Sequence, residues 1–256
     1  MRLLVIGGSG YVGGLVLPIL AQHHNIRVFD RRPPAPEVIE SSAKNPMEFE
    51  EGDVTDPEAL SRAVQEMESM LYMAMGRVED HAFNAPAAFD VNVKGLYLAL
   101  HAAHHAGVTH AVYTSSMSVY EGDLTTRRFP DEDIPPDSRH IYGFTKRLGE
   151  EVCRNAARQW GMSVNALRLC LPTSEDRWLA KTRPGVPTIA TTAGDVARAL
   201  LAALEFRAGF QAFMISGDYE QKFMNLSKAK RLLGWAPLAR PSRCTIGNRS
   251  EKGDNE

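Results

Sequence analysis

Cysteine is scarce: three in 256 residues, at positions 153, 170 and 244. An odd number at scattered spacings excludes a disulfide framework and predicts reduced thiols in a cytoplasmic protein. Charge of one sign is also lacking, with 29 Lys and Arg against 31 Asp and Glu. That leaves no electrostatic footprint for a nucleic-acid partner and no polybasic patch for a membrane surface. Long hydrophobic runs are missing too. The opening apolar run stops at Gly7, too short for a signal-peptide core and without a cleavage site. No segment approaches the ~18 uninterrupted apolar residues of a membrane helix. There is no internal repeat. The length suits one substantial core, or a core with a small appended lobe.

What is present is alternation. Short β-rich runs at Leu3–Ile6, Ile26–Asp30, Met47–Glu50, Met70–Ala74, Ala111–Ser115 and Val164–Leu169 are separated by helical patterns. Those patterns fall at Tyr11–Gln22, Pro57–Gln65, Pro86–His105 and Gly143–Gln159. This order predicts an α/β fold, a doubly wound parallel sheet (Rossmann fold) with helices on both faces. Beyond about residue 170 the signals thin. Asp195–Glu205 reads as an amphipathic helix with its acidic residue placed for the N-terminus. QAFMIS suggests a short strand, and NLSKAKRLLGWAP a helix stopped by Gly234 and Pro237. The expected division is a dinucleotide-binding domain over 1–167, a small C-terminal substrate lobe over 168–239, and a polar disordered tail over 240–256.

Between the first strand and first helix lies GGSGYVG, residues 7–13. Gly7 allows the turn, Gly10 lets the backbone approach a pyrophosphate, and Gly13 lets helix and strand pack closely. Tyr11 and Val12 open the helix, whose N-terminal N–H groups and partial positive charge suit phosphates. Alone the pattern is a weak signal that a structural glycine turn would also satisfy. Asp30, ending the second strand about twenty residues on, adds a carboxylate able to accept both ribose hydroxyls of an adenosine. Arg31 and Arg32 keep NADP open, because arginines pair with a 2′-phosphate. Asp30 would repel that phosphate, so the expected cofactor is NAD.

Tyr142 and Lys146 stand four residues apart at a predicted helix start, on one face. A phenol near pKa 10 is a poor base at neutral pH, and a neighbouring ammonium and a positively charged nicotinamide ring would both lower it. Ser116, at the end of the fifth strand, could hydrogen-bond the reacting oxygen.

These residues, with GDVTD (52–56), FDVNVKGLYLALHAAHHAGV, YTSSMSVYEG, YGFTKRLGEE and LGWAP, give the sequence its resemblance to a known family. It resembles the extended short-chain dehydrogenase/reductases, the NAD-dependent epimerase/dehydratase family, over nearly all of residues 1–237. The resemblance implies that Asp53 and Val54 flank the adenine and that Met73, Ala74 and Met75 line the dinucleotide groove. It implies that Asn92 braces the helix and the active-site water or lysine, that Ser116 and Tyr142 are catalytic, and that Lys146 binds the nicotinamide ribose. It also implies a homodimer through the helices starting near Pro86 and Tyr142.

Two departures bear on substrate. RLCLPTSED (Arg168–Asp176) replaces the Arg-x-x-Asn-x-Tyr-Gly-Pro of many members, and the stretch beyond it is short. A compact lobe resembles the uronate dehydrogenases, so the expected substrate is a sugar or sugar acid. An epimerase or dehydratase using the same transient oxidation is the alternative, and a non-catalytic dinucleotide sensor is another. Arg127, Arg128, Arg139 and Arg168 are candidates to clamp a substrate carboxylate. His101 and His105 have the i, i+4 spacing of a zinc pair but no evident third ligand, so no metal is expected.

Overall fold

A computed structural model describes residues 1–41, 45–76, 78–79 and 82–241. Seven parallel strands form the main sheet: β1 (Arg2–Ile6), β2 (Asn25–Asp30), β3 (Glu48–Glu51), β4 (Ser69–Tyr72), β5 (His110–Ser116), β6 (Ser163–Leu169) and β7 (Phe210–Ile215). Their spatial order is β7-β6-β5-β4-β1-β2-β3. The order reverses beside β1, where Ile6 lies between Phe29 of β2 and Tyr72 of β4. Crevices at such switch points, outside the carboxyl ends of the strands, receive ligands in doubly wound sheets.

The helices in chain order are α1 (Tyr11–Leu20), α2 (Pro36–Ser41), α3 (Pro57–Ala63), α4 (Ala85–Phe89), α5 (Leu96–His105), α6 (Ile141–Trp160), α7 (Glu175–Lys181), α8 (Ala193–Glu205) and α9 (Ser227–Leu233). Strand alternation sorts the core into two layers. Leu3 and Val5 pack with Val16 and Leu17 of α1 and Val196 and Leu200 of α8. Leu4 and Ile6 face the other way, onto Leu60 of α3, Leu100 of α5 and Cys153 of α6. Apolar burial on both faces explains why β1 reads as an unbroken apolar run rather than an alternating one.

The expected Pro86–His105 helix is broken into α4 and α5 by a π-helical segment, Asp90–Gly95. Asn92 sits in that wider turn, fully buried. Such π-bulges redirect a side chain that a regular turn would aim elsewhere. The expected lobe boundary at 167/168 falls inside β6, and β7, which the expected lobe would contain, pairs with β6 along its whole length, Phe210 to Val164 through Ile215 to Leu169. Asp195 does fall in the first turn of α8, but Thr192 is the cap and accepts from Asp195 N at 3.2 Å. The Asp195 carboxylate instead accepts from Leu238 N and Ala239 N and pairs with Arg198, fastening the chain's last described segment to α8. Gly234 ends α9 in the left-handed region, φ +64°, as expected of a C-terminal glycine. Cys244 and residues 242–256 of the expected tail lie outside the described residues.

Candidate active site

The carboxyl ends of β1 to β6 open into one cleft of about 900 Å³. Gly7, Gly10, Tyr11, Val12, Gly13, Asp30, Arg31, Arg32, Asp53, Val54, Met73, Ala74, Met75, Ser116, Tyr142 and Lys146 all line it. Asn92 does not. It lies behind the wall, where its Oδ1 accepts from Gly76 N at 3.0 Å and its Nδ2 donates to Thr145 Oγ1 at 2.9 Å. It thereby joins the end of β4 to α6, one residue before Lys146.

The glycine turn is dictated by contacts. Gly7 has φ +82°, and a Cβ there would meet Ala74 N at 2.3 Å; a Cβ on Gly13 would meet the Gly8 carbonyl oxygen at 1.9 Å. At Gly10 an added Cβ meets only the Gly7 carbonyl oxygen, at 3.3 Å. The protein's own packing scarcely demands glycine there, which fits a position kept bare for a ligand. Gly10 caps α1 without a side chain, so the first-turn N–H groups carry no side-chain partner. Two carboxylates stand nearby. Asp30 accepts from Ser9 N and Arg31 N, and Asp53 accepts from the N–H and hydroxyl of Thr55. Partial burial would raise Asp53, yet the Thr55 hydrogen bonds hold it below the usual carboxylate range. A bare glycine turn at a helix N-terminus, with two acceptors beyond it, fits a dinucleotide.

At the other end, α6 addresses β5 through three side chains at i, i+4 and i+8. Tyr142 hydrogen-bonds the Ser116 hydroxyl. Lys146 Nζ donates to the Thr114 carbonyl at 2.7 Å, and Glu150 Oε1 accepts from Ser115 Oγ at 2.6 Å. Gly143 lets the helix come this close, since a Cβ would lie 1.9 Å from the Ser118 carbonyl oxygen. The expected depression of the phenol by Lys146 is not what the protein's own groups produce. Burial pushes Tyr142 up, opposed by the Ser116 hydrogen bond. The Lys146 ammonium is 6.0 Å from the Tyr142 ring centroid and committed to Thr114. Burial lowers Lys146 itself to about 8, with Cys153 and Glu150 opposing.

None of the four candidate arginines lines the cleft. Arg168 is fully buried, bidentate to Glu150 at 2.9 and 2.8 Å, and it also donates to Tyr120 OH and the Glu132 carbonyl. Arg127 pairs with Asp137 and lies over the Phe129 ring. Arg128 and Arg139 are exposed. His101 and His105 pair with each other through their Nε2 atoms at 3.1 Å. Residues that sequence reasoning missed also line the cleft: Met117, Ser118, Leu124, Leu169, Cys170, Leu171 and Pro172. Most lie at or just beyond predicted strand ends, which is their only signal; Leu124 comes from the loop that follows β5.

The strand order and this site together define the class: a short-chain dehydrogenase/reductase on a Rossmann fold. Within it, the chain belongs to the NAD dependent epimerase/dehydratase family, which matches residues 3–187. A 3 beta-hydroxysteroid dehydrogenase/Delta 5-->4-isomerase of Mycobacterium tuberculosis is 35% identical over 175 residues, covering 65% of this chain and 46% of that protein. The chain thus spans about half the length of the curated relatives it matches first. The fold is shared with uronate dehydrogenase of Agrobacterium tumefaciens, at TM-score 0.76 and 22% identity over 93% of this chain and 84% of that one. It is also shared with a dTDP-glucose 4,6-dehydratase of Streptomyces venezuelae solved with NAD and TYD bound, at TM-score 0.77 and 21% identity over 94% and 93% of the two chains. Among the described residues no helix is long and apolar enough to cross a membrane.

Proposed function

We propose that this chain is an NAD-dependent oxidoreductase acting on a hydroxyl of a sugar or sugar acid. The observation that carries this reading is the hydrogen-bonded Ser116–Tyr142 pair, which shares one cleft with the glycine turn and Asp30. Gly7, Gly10 to Gly13, Asp30, Asp53, Val54, Met73 to Met75 and Lys146 would hold the dinucleotide. Bound NAD supplies the hydride acceptor. Tyr142, as phenolate, takes the proton of the substrate hydroxyl while Ser116 orients that oxygen. Lys146, fixed by Thr114, addresses the nicotinamide ribose. Asn92, through Thr145, keeps the start of α6 in register with the end of β4. Asp30 supports NAD over NADP, because it would repel a 2′-phosphate that the exposed Arg31 and Arg32 could otherwise attract.

The test is NADH absorbance with a panel of sugars and sugar acids. Tyr142→Phe should lower kcat by roughly 10²–10⁴ while leaving the Kd for NAD unchanged. Full turnover by that variant would overturn the assignment of Tyr142. Conversion of a UDP-sugar with no net NADH would identify the epimerase outcome instead.

A further inference from the structure

The two halves of the cleft differ in chemistry. Beyond β2 and β3 its wall carries Asp30, Arg31, Arg32 and Asp53; beyond β4, β5 and β6 it carries Met75, Met117, Leu124, Leu169, Leu171 and Pro172. Among the described residues, Lys146 is the one charged side chain lining that second half, and its ammonium is held by the Thr114 carbonyl. Arg168, the cation nearest in sequence to this wall, spends its donors on Glu150, Tyr120 and Glu132.

Leu171 is the outlier. It has φ +43°, a region that L residues other than Asn and Asp seldom enter, and its side chain is 60% exposed. Thr191 N holds this turn by donating to the carbonyls of Cys170 and Leu171 at 3.2 and 3.3 Å. Met75, which also lines the cleft, is 47% exposed. A single exposed leucine is ordinary. Strained backbone that presents an apolar side chain to a cleft, with a second exposed apolar residue and a Ser–Tyr pair in the same wall, reads as a binding surface.

We infer that the substrate half of the cleft takes an uncharged ring alcohol, seated by an apolar ring face on Met75, Leu124 and Leu171 with its hydroxyl at Ser116 and Tyr142. This rests on the oxidoreductase reading and narrows its substrate. A carboxylate or diphosphate entering here would lose water without gaining a free cation from the described residues. Two sources share the favoured chemistry: a neutral sugar with an apolar face, and an alicyclic carbinol.

Binding to NAD-loaded protein tests the inference without turnover. The probes are methyl 6-deoxy-β-D-glucopyranoside, a 3β-hydroxysteroid, D-glucuronate and UDP-glucose, followed by saturation-transfer NMR and calorimetry. At least one neutral probe should bind about tenfold or more tighter than either anion, and Leu171→Ala should weaken it by a similar factor. Leu171→Arg should reverse the order toward glucuronate. Whichever neutral probe responds to Leu171 identifies the source. The inference is overturned if an anion binds as tightly as both neutral probes, if no probe binds, or if Leu171→Ala changes nothing. A neutral probe that binds through Leu171 but is never oxidised would instead sink the oxidoreductase reading and leave the inference standing.

Discussion

At the residue scale, Asp30 braces the glycine turn and, on the proposed reading, would also meet the ligand. Its Oδ2 accepts from Ser9 N at 3.0 Å and its Oδ1 from Arg31 N at 2.8 Å, so it ties the glycine turn to the end of β2. A carboxylate has about four acceptor positions, which leaves capacity for a ribose diol. Asp30→Ala should cost about 1.5–3 kcal/mol of NAD binding, roughly ten- to hundredfold in Kd. NADP should be hurt less, because a repulsive charge is removed beside Arg31 and Arg32. Titrating both dinucleotides checks this, and an unchanged NADP-to-NAD ratio would refute the role. The place of Asp30 at the cleft was legible because a strand end some twenty residues after the glycines marks it. The carboxylate-clamping role of Arg168 was misread for the opposite reason: an arginine's partner is chosen by the fold, and nothing local predicts that Glu150 takes it.

At the element scale, α1 offers two adjacent glycines with opposite expectations. A Cβ on Gly13 runs into the Gly8 carbonyl oxygen, whereas one on Gly14 meets nothing within 4 Å. Gly13→Ala must push α1 off the turn, costing about 1–3 kcal/mol of stability and weakening NAD binding. Gly14→Ala, exposed in the helix interior, should stabilise by up to about 1 kcal/mol. Thermal unfolding and NAD titration of the two variants distinguish steric need from propensity. The pattern G-x-x-G-x-x-G thus marks Gly13 correctly, and Gly14 carries no structural demand. Helix positions were readable where periodicity was strong; the π-helical segment at Asp90–Gly95 was not, because its extra residue per turn hides within an apolar pattern.

At the scale of the whole molecule, the Arg168 cluster joins four elements. It links β6 to α6 through Glu150, and to the segment between β5 and α6 through Tyr120 and Glu132. Glu132 Oε1 in turn accepts from Met214 N of β7. Arg168→Met should destabilise by about 3–5 kcal/mol, because Glu150 is left buried and unpaired. Adding Glu150→Leu should recover most of that loss in denaturant unfolding; a double variant as unstable as the single one would contradict this account. His110 gives the acid response. Desolvation lowers it to about 4 from 6.5, against its hydrogen bond to the Ala203 carbonyl. The unfolded chain therefore takes up a proton below pH 6.5 that the folded protein refuses until about 4, so stability falls as pH drops through that window. His110→Gln should flatten the slope of unfolding free energy between pH 6.5 and 4, and an unaltered slope would argue against it.

By itself the sequence determined the strand-and-helix succession, the glycine turn and the residues at predicted strand ends. These are local signals, set by periodicity and by the conformations each residue permits. Only the tertiary structure decided how buried charges pair, that β7 completes the main sheet, that Asn92 lies behind the cleft rather than in it, and which way the Tyr142 phenol shifts. Each of those depends on burial and on partners far apart in the chain, and desolvation acts through the space around a group rather than its neighbours in sequence.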